Sequence, residues 1–166
     1  MQWWQVFVLC TILCWGCYVP TIHEGQGLLG GKGPSGKPMY SAGGLRAFLC
    51  VGFAYFLTAV VIPGVLLMTT SMEDTTLFSG EQRTGTIVAT VAGILGAAGA
   101  LGIILSIKMG GSPLYIAPLV FAGAPIMSTF VTMVWKRPQT SPHWCFYVGI
   151  VLAAAGAFLV LYGKPK

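Results

Sequence analysis

The sequence predicts an all-α fold, a multi-pass transmembrane helical bundle of five helices. Two observations carry this prediction. Of the 166 residues, 55% are hydrophobic and only 8% are charged, whereas a soluble domain has about 25% charged residues. The charges also fall between long uncharged stretches rather than along them. A soluble protein of this size would need more charge to cover its surface, so we expect a lipid bilayer to surround the chain.

The uncharged stretches define the spans. Lys, Arg, Asp and Glu are absent from residues 1–22, 47–72, 84–107, 109–135 and 138–163. Each stretch is long enough for a helix that crosses ~30 Å of hydrocarbon, which takes about 20 residues. Backbone polar groups in lipid must be satisfied internally, which favours helices. We therefore predict a single transmembrane domain, 1–166, with spans of about 3–22, 46–69, 84–107, 113–135 and 142–162.

Interface and cap residues mark the ends of several spans. Trp3 and Trp4 open the first span at a predicted membrane interface. The second span begins at Arg46. Ser79 and Gln82 have the spacing of a capping box before the third span.

The last two spans carry clearer helix signals. Ser112-Pro113 and Ser141-Pro142 each place a potential N-cap before a proline suited to the first helical turn. Gly163 is a suitable stop for the fifth helix.

Basic residues predict the orientation of the helices. With five spans, the Gly-rich loop 23–44, the link after the third span and the C-terminus lie on one side. That side holds Lys32, Lys37, Arg46, Lys108, Lys164 and Lys166. The other side holds Arg83, Lys136 and Arg137. Basic residues concentrate on the cytoplasmic side, so we expect a cytoplasmic C-terminus in a cell or inner membrane.

Two patterns resemble binding motifs but have simpler interpretations. Residues 25–30 fit G-x-G-x-x-G and residues 31–37 fit G-x-x-x-x-G-K. A nucleotide site would need a preceding strand or a Ser/Thr after the lysine, and neither is present, so we predict a flexible connector. Cys10, Cys14 and Cys17 share one helix face, where packing is favoured over soft-metal binding.

Apart from Arg46 at the start of the second span, the spans contain no charged side chain that would mark ion coupling or a proton relay. A membrane enzyme is also disfavoured, because no His, Asp, Glu or Cys set converges in the sequence. The basic residues are scattered, which argues against nucleic acid as a partner. We predict no catalytic residues, no metal site and no cofactor.

Aromatic side chains with hydroxyls are the candidate binding residues. Trp15 and Tyr18 share a helix face at i, i+3, and Tyr55 and Tyr115 add hydroxyls within spans. Such a wall suits a ligand with polar and apolar parts. Ordinary helix packing is the alternative interpretation of the same residues.

Three stretches resemble one EamA-like repeat of the drug/metabolite transporter superfamily. They are Trp15-Gly16 with Pro20 in the first span, residues 112–119 at the start of the fourth, and residues 148–159 in the fifth. The first of these stretches is also similar to the sugar-uptake branch. The resemblance covers about the whole chain.

The resemblance implies a half-size transporter. Family members usually have two inverted repeats and ten helices, whereas this chain has one repeat. Trp135-Lys136-Arg137 stands where the family often has a Gly-Glu pair. The resemblance therefore implies either an antiparallel homodimer or a partner that supplies the other half.

Two functions are expected from the sequence. The first is a half-size membrane transporter subunit for small polar metabolites, with a small-molecule substrate. The second is a non-transporting membrane scaffold or assembly subunit, because small residues form tracks suited to helix contacts. Those tracks are Gly93, Gly96, Gly99 and Gly102, and Gly149, Ala153 and Ala157.

Overall fold

The computed structural model describes residues 3–70, 82–135 and 140–163, and the described residues are all-helical. The fold class predicted from the sequence is therefore confirmed. The helices are α1 (Trp3–Gly30), α2 (Tyr40–Phe56), α3 (Ile62–Thr69), α4 (Gln82–Lys108), α5 (Pro113–Trp135) and α6 (Trp144–Tyr162). Apart from these helices, the described residues include one isolated antiparallel bridge, between Lys32 and Pro38.

Five helical segments are long and apolar enough to cross a membrane. They are α1, α4, α5, α6 and the continuous segment Tyr40–Thr69, which joins α2 to α3. A π-helical turn, Leu57–Val61, connects α2 to α3. Pro63 follows it and has no N–H to donate to the carbonyl of Ala59, which lies within this turn, so the regular α-helical bonding is interrupted there.

The helix ends agree with the predicted spans in some places and differ in others. Helix α5 begins and ends at the predicted residues, 113 and 135. Helix α1 instead continues to Gly30, and α2 begins at Tyr40. The predicted Gly-rich loop 23–44 is therefore wrong in extent, because the connector covers only residues 31–39.

The chain divides into two compact units. One unit contains Met1–Pro20 and Gly111–Lys166, and the other contains Thr21–Gly110. Helix α1 supplies residues to both units. The single transmembrane domain expected from the sequence stays a prediction.

In the second unit, α2 packs against α4. The buried residues on α2 include Ala47 and Val51, and those on α4 include Ile103, Ile104 and Ile107. Gly44 of α2 lies close to α4, since a Cβ added there would be 3.4 Å from Cγ2 of Ile104, and such a small residue allows a close contact between two helices.

Glycines bring the end of α1 against the start of α2. A Cβ added to Gly43 would overlap the backbone carbonyl of Gln26, and one added to Gly30 would overlap that of Met39. A Cβ on Gly27 would lie 2.7 Å from Cε1 of Tyr40. These glycines therefore serve close helix packing, which is the physical reason that residues 23–30 form helix rather than a flexible loop.

The helix caps show one further difference from prediction. The Ser112 side chain accepts from the Leu114 N–H at 3.3 Å, as expected for the start of α5. Helix α6 is capped by His143, whose Nδ1 accepts from the Cys145 N–H at 3.4 Å, and not by Ser141. The Gly163 N–H donates to the Leu159 carbonyl at 2.9 Å where α6 ends. Ser79 lies outside the described residues.

Helix α6 has no buried residue, and most of its large aliphatic side chains are exposed. Val151 and Leu152 are each 66% exposed. In water such a surface would be strongly unfavourable, whereas in hydrocarbon it carries no such penalty. The surface of α6 is therefore that of an element that contacts lipid.

Candidate functional site

A groove of about 580 Å³ lies between α1 and α5 within the first unit. Ligand pockets in proteins typically have about 300–1,000 Å³. The lining residues are Thr11, Ile12, Trp15 and Gly16 on α1, and Phe121, Ala124, Pro125 and Ser128 on α5. On each helix these residues recur at helical spacings of about one turn, so each helix presents one continuous face to the groove.

Aromatic rings line the groove and support its wall. The rings of Trp15 and Phe121 meet edge to face, with centroids 6.2 Å apart. The ring of Tyr18 packs against Trp15 at 5.5 Å. Both distances lie in the range of favourable aromatic pairs. Trp15 is therefore held by one ring on its own helix and one across the groove.

The structure places the four predicted site residues in different surroundings. Trp15 lines the groove, and Tyr18 contacts Trp15 from one turn further along α1. Tyr115 lies at the start of α5 in the same unit. Tyr55 lies on α2 in the other unit and is 40% exposed. Their role as substrate-binding residues stays a prediction.

Sequence reasoning missed Phe121, Pro125 and Ser128 as groove residues. Their spacings of four and three residues place them on one face of α5. Pro125 stands inside the predicted fourth span, where a proline removes a helical hydrogen bond, but nothing in the sequence pairs that face of the helix with Trp15. Only the tertiary structure makes this connection.

The groove is apolar and uncharged. No Asp, Glu, Lys or Arg belongs to its lining among the described residues. The polar groups on its lining side chains are the hydroxyls of Thr11 and Ser128 and the indole N–H of Trp15. The Thr11 hydroxyl donates to the Phe7 carbonyl at 2.9 Å, so toward the groove its oxygen acts as an acceptor.

A second polar cluster joins three helices of the other unit. The Gln26 Nε2 donates to the Tyr40 carbonyl at 2.9 Å and to the Ile104 carbonyl at 3.2 Å. The imidazole of His23 stacks on Tyr40 at 4.2 Å. The Arg46 Nη1 donates to the Leu29 carbonyl near the end of α1 at 3.0 Å. These contacts fix helices to one another, so we assign this cluster to packing.

Within the described ranges, no group of three His, Cys, Asp or Glu side chains is placed to hold a metal ion. Cys10, Cys14 and Cys17 lie along an exposed part of α1.

No family model, curated protein or solved structure matches the chain. The class of protein is therefore inferred from the helices of the fold alone. Five helices of membrane-spanning length and apolar character make it an integral membrane protein.

Proposed function

We propose that the chain is a half-size membrane transporter subunit that moves small polar metabolites by alternating access. The groove between α1 and α5 is the observation that carries this proposal. Both helices contain internal prolines, namely Pro20 in α1 and Pro118 and Pro125 in α5. Each internal proline removes one helical hydrogen bond, and transporters often build substrate sites where the helical bonding is broken within the membrane. Trp15 and Phe121 would contact the apolar part of the substrate.

A complete transporter requires a second half in this proposal. The resemblance to one EamA-like repeat supports it, since that family pairs two inverted repeats. An open glycine track on α4 and the open Gly149 on α6 also support it. A Cβ added to Gly93, Gly96, Gly99 or Gly102 of α4, or to Gly149 of α6, would meet nothing within 4 Å. Such surfaces suit close contact with a helix of a second copy or of a partner half.

Blocking the groove tests the proposal. In proteoliposomes we expect uptake of at least one compound from a panel of sugars and amino acids, by the chain alone or with a partner half. Gly16→Leu should reduce that uptake at least about tenfold, because Gly16 lines the groove and has open space above it.

Gly52→Leu is the matched control. Gly52 lies on α2 and is not a groove-lining residue, and its added side chain would also meet open space. Uptake by this variant should equal that of the unmodified chain. Equal uptake by both leucine variants would contradict the assignment of the groove.

A non-transporting scaffold or assembly subunit is the second candidate. The open glycines favour it independently of the groove. Packing against the helix of another protein would explain these glycines without any substrate. Absence of uptake for the whole panel, together with a stable complex with another membrane protein, would support this candidate over the transporter.

A further inference from the structure

Three helix ends meet at one edge of the unit Thr21–Gly110. The Gln26 Nε2 joins them, because it donates to the carbonyls of Tyr40, the first residue of α2, and of Ile104. Gln26 stands four residues before the end of α1, and Ile104 stands four residues before the end of α4 at Lys108. As the first and third spans, α1 and α4 cross a membrane in the same direction. Both helices therefore end about 6 Å beyond this hydrogen-bonded level, at 1.5 Å per residue.

Arg46 reaches the same edge from within α2. It stands six residues after Tyr40, about 9 Å along the helix, yet its Nη1 donates to the Leu29 carbonyl near the end of α1 at 3.0 Å. Long basic side chains extend in this way to bring their charge to the water interface of a membrane. A guanidinium has five N–H donors, so Arg46 keeps donors for a further acceptor besides this packing contact.

Two lysines lie in the short connector between α1 and α2. Lys32 forms an antiparallel bridge with Pro38. The Gly33 N–H donates to the Lys37 carbonyl at 2.9 Å. These contacts hold Lys32 and Lys37 on the two arms of one hairpin, directly beyond the ends of both helices.

Four cationic residues at this edge form what we call the basic cluster, namely Lys32, Lys37, Arg46 and Lys108. All four are exposed, and none forms an ion pair with another residue that the structure describes. The one carboxylate in the described part of this unit belongs to Glu24, which lies 3.7 Å from the His23 Nδ1. The charge of the basic cluster is therefore not balanced by the described residues.

An apolar stripe continues from Arg46 along α2. Leu49 and Phe53 stand three and seven residues after Arg46, on the same face of the helix. Their side chains are 73% and 65% exposed. This face of α2 thus begins with a cation at the end of the span and becomes apolar toward the middle of the membrane.

A phospholipid has the same arrangement of groups. Charged side chains are excluded from hydrocarbon, so the basic cluster lies at the level of the lipid head groups. Phosphate oxygens there accept hydrogen bonds from guanidinium and ammonium groups. Groups of about four to eight basic residues beside membrane helices attract anionic lipids.

We propose that the basic cluster binds the phosphate head group of an anionic phospholipid, and that Arg46 donates directly to the phosphate. An acyl chain of the same lipid lies along Leu49 and Phe53. This apolar contact distinguishes a lipid from free phosphate, which has the charge but no apolar body. The lipid site is independent of the groove and of transport.

Phospholipids that differ in head-group charge test the proposal. Binding of radiolabelled phosphatidylglycerol and phosphatidylcholine with identical acyl chains to the full chain in detergent is measured by scintillation proximity. We expect phosphatidylglycerol to bind at least about tenfold more tightly, since each basic residue near an anionic surface contributes about fivefold. Inorganic phosphate should displace the bound lipid no more than sodium chloride of equal ionic strength does.

Neutral variants identify the binding residues. Arg46→Gln should lower the preference for phosphatidylglycerol about fivefold, the effect of one basic residue. The triple variant Lys32→Gln/Lys37→Gln/Lys108→Gln should lower the preference to below about twofold. It changes only exposed side chains, so the fold is retained. Arg83→Gln is the matched control and should leave the preference unchanged, because Arg83 lies on α4 about 38 Å from Lys108.

Four results would overturn the proposal. The first is equal affinity of the two lipids for the unmodified chain, and the second is an unchanged preference in both Arg46→Gln and the triple variant. The third is an equal loss in Arg83→Gln and Arg46→Gln, which would indicate an effect of net charge alone. The fourth is displacement by inorganic phosphate beyond that by sodium chloride, which would indicate a site for a free anion.

Discussion

Gln26 illustrates how one polar side chain is accommodated among apolar helices. It is fully buried, and its Nε2 donates to carbonyls on α2 and α4. Its Oε1 is buried without a hydrogen-bond partner among the described residues. The hydrogen bonds join three helices of one unit, and the unpaired oxygen reduces their net benefit.

Replacement of Gln26 tests whether its two hydrogen bonds stabilise the fold despite the unpaired Oε1. Gln26→Ala removes both hydrogen bonds and leaves a cavity, so we expect the free energy of unfolding to fall by about 2 kcal/mol. Reversible unfolding in mixed micelles of increasing SDS fraction measures it. Leu28→Ala is the control, because Leu28 is 81% exposed and should change stability by less than about 0.5 kcal/mol. Equal stabilities of the two variants would contradict the role of Gln26.

At the scale of helices, the contact between α1 and α2 depends on glycine. The backbones approach so closely at Gly30 and Gly43 that no Cβ fits at either position. Glycine lowers helix propensity in isolation, yet here it allows two membrane helices to meet. The connector between them is consequently short, and the Gly33 N–H donates to the Lys37 carbonyl at 2.9 Å within it.

Substitution by alanine should change the free energy of unfolding in opposite directions at two glycines of α2. Gly43→Ala would push against the Gln26 carbonyl, and we expect a loss of at least about 2 kcal/mol in the free energy of unfolding. Gly52→Ala meets open space and should gain about 0.5–1 kcal/mol from helix propensity. SDS titration of the two variants provides the measurement, and a stabilising Gly43→Ala would refute the close approach.

The sequence predicted five helices of membrane-spanning length, because hydrocarbon imposes a simple rule on the length and charge of a span. It predicted a loop at residues 23–44 because eight glycines there resemble a flexible connector. Gly27, Gly30 and Gly43 instead allow the end of α1 to approach the start of α2 closely, which only the tertiary structure reveals. The i, i+3 spacing predicted that Trp15 and Tyr18 would be neighbours. The approach of Phe121 from another helix had no sequence signal.

At the scale of the whole molecule, five spans require the two ends of the chain to lie on opposite sides of the membrane. Basic residues favour a cytoplasmic C-terminus. A C-terminal green fluorescent protein fusion in a bacterial host should therefore fluoresce, and an alkaline phosphatase fusion at the same position should be inactive. Activity of both fusions would indicate two orientations and favour an antiparallel homodimer. Phosphatase activity alone would contradict the proposed orientation.

The central claim is that lipid, not water, surrounds the exposed apolar helices. Cys14 tests it directly, since it is exposed on α1 yet lies about 17 Å from the helix start at 1.5 Å per residue, deep in the bilayer. The variant used retains only Cys14, with the other four cysteines replaced by serine, and its matched control carries Ser35→Cys in the connector as its only cysteine.

Both proteins are reconstituted in liposomes, and a charged maleimide is supplied on both sides of the membrane. We predict rapid labelling of the Ser35→Cys control and labelling of Cys14 only after SDS is added. Labelling of Cys14 in intact liposomes at the rate of the control would contradict the account.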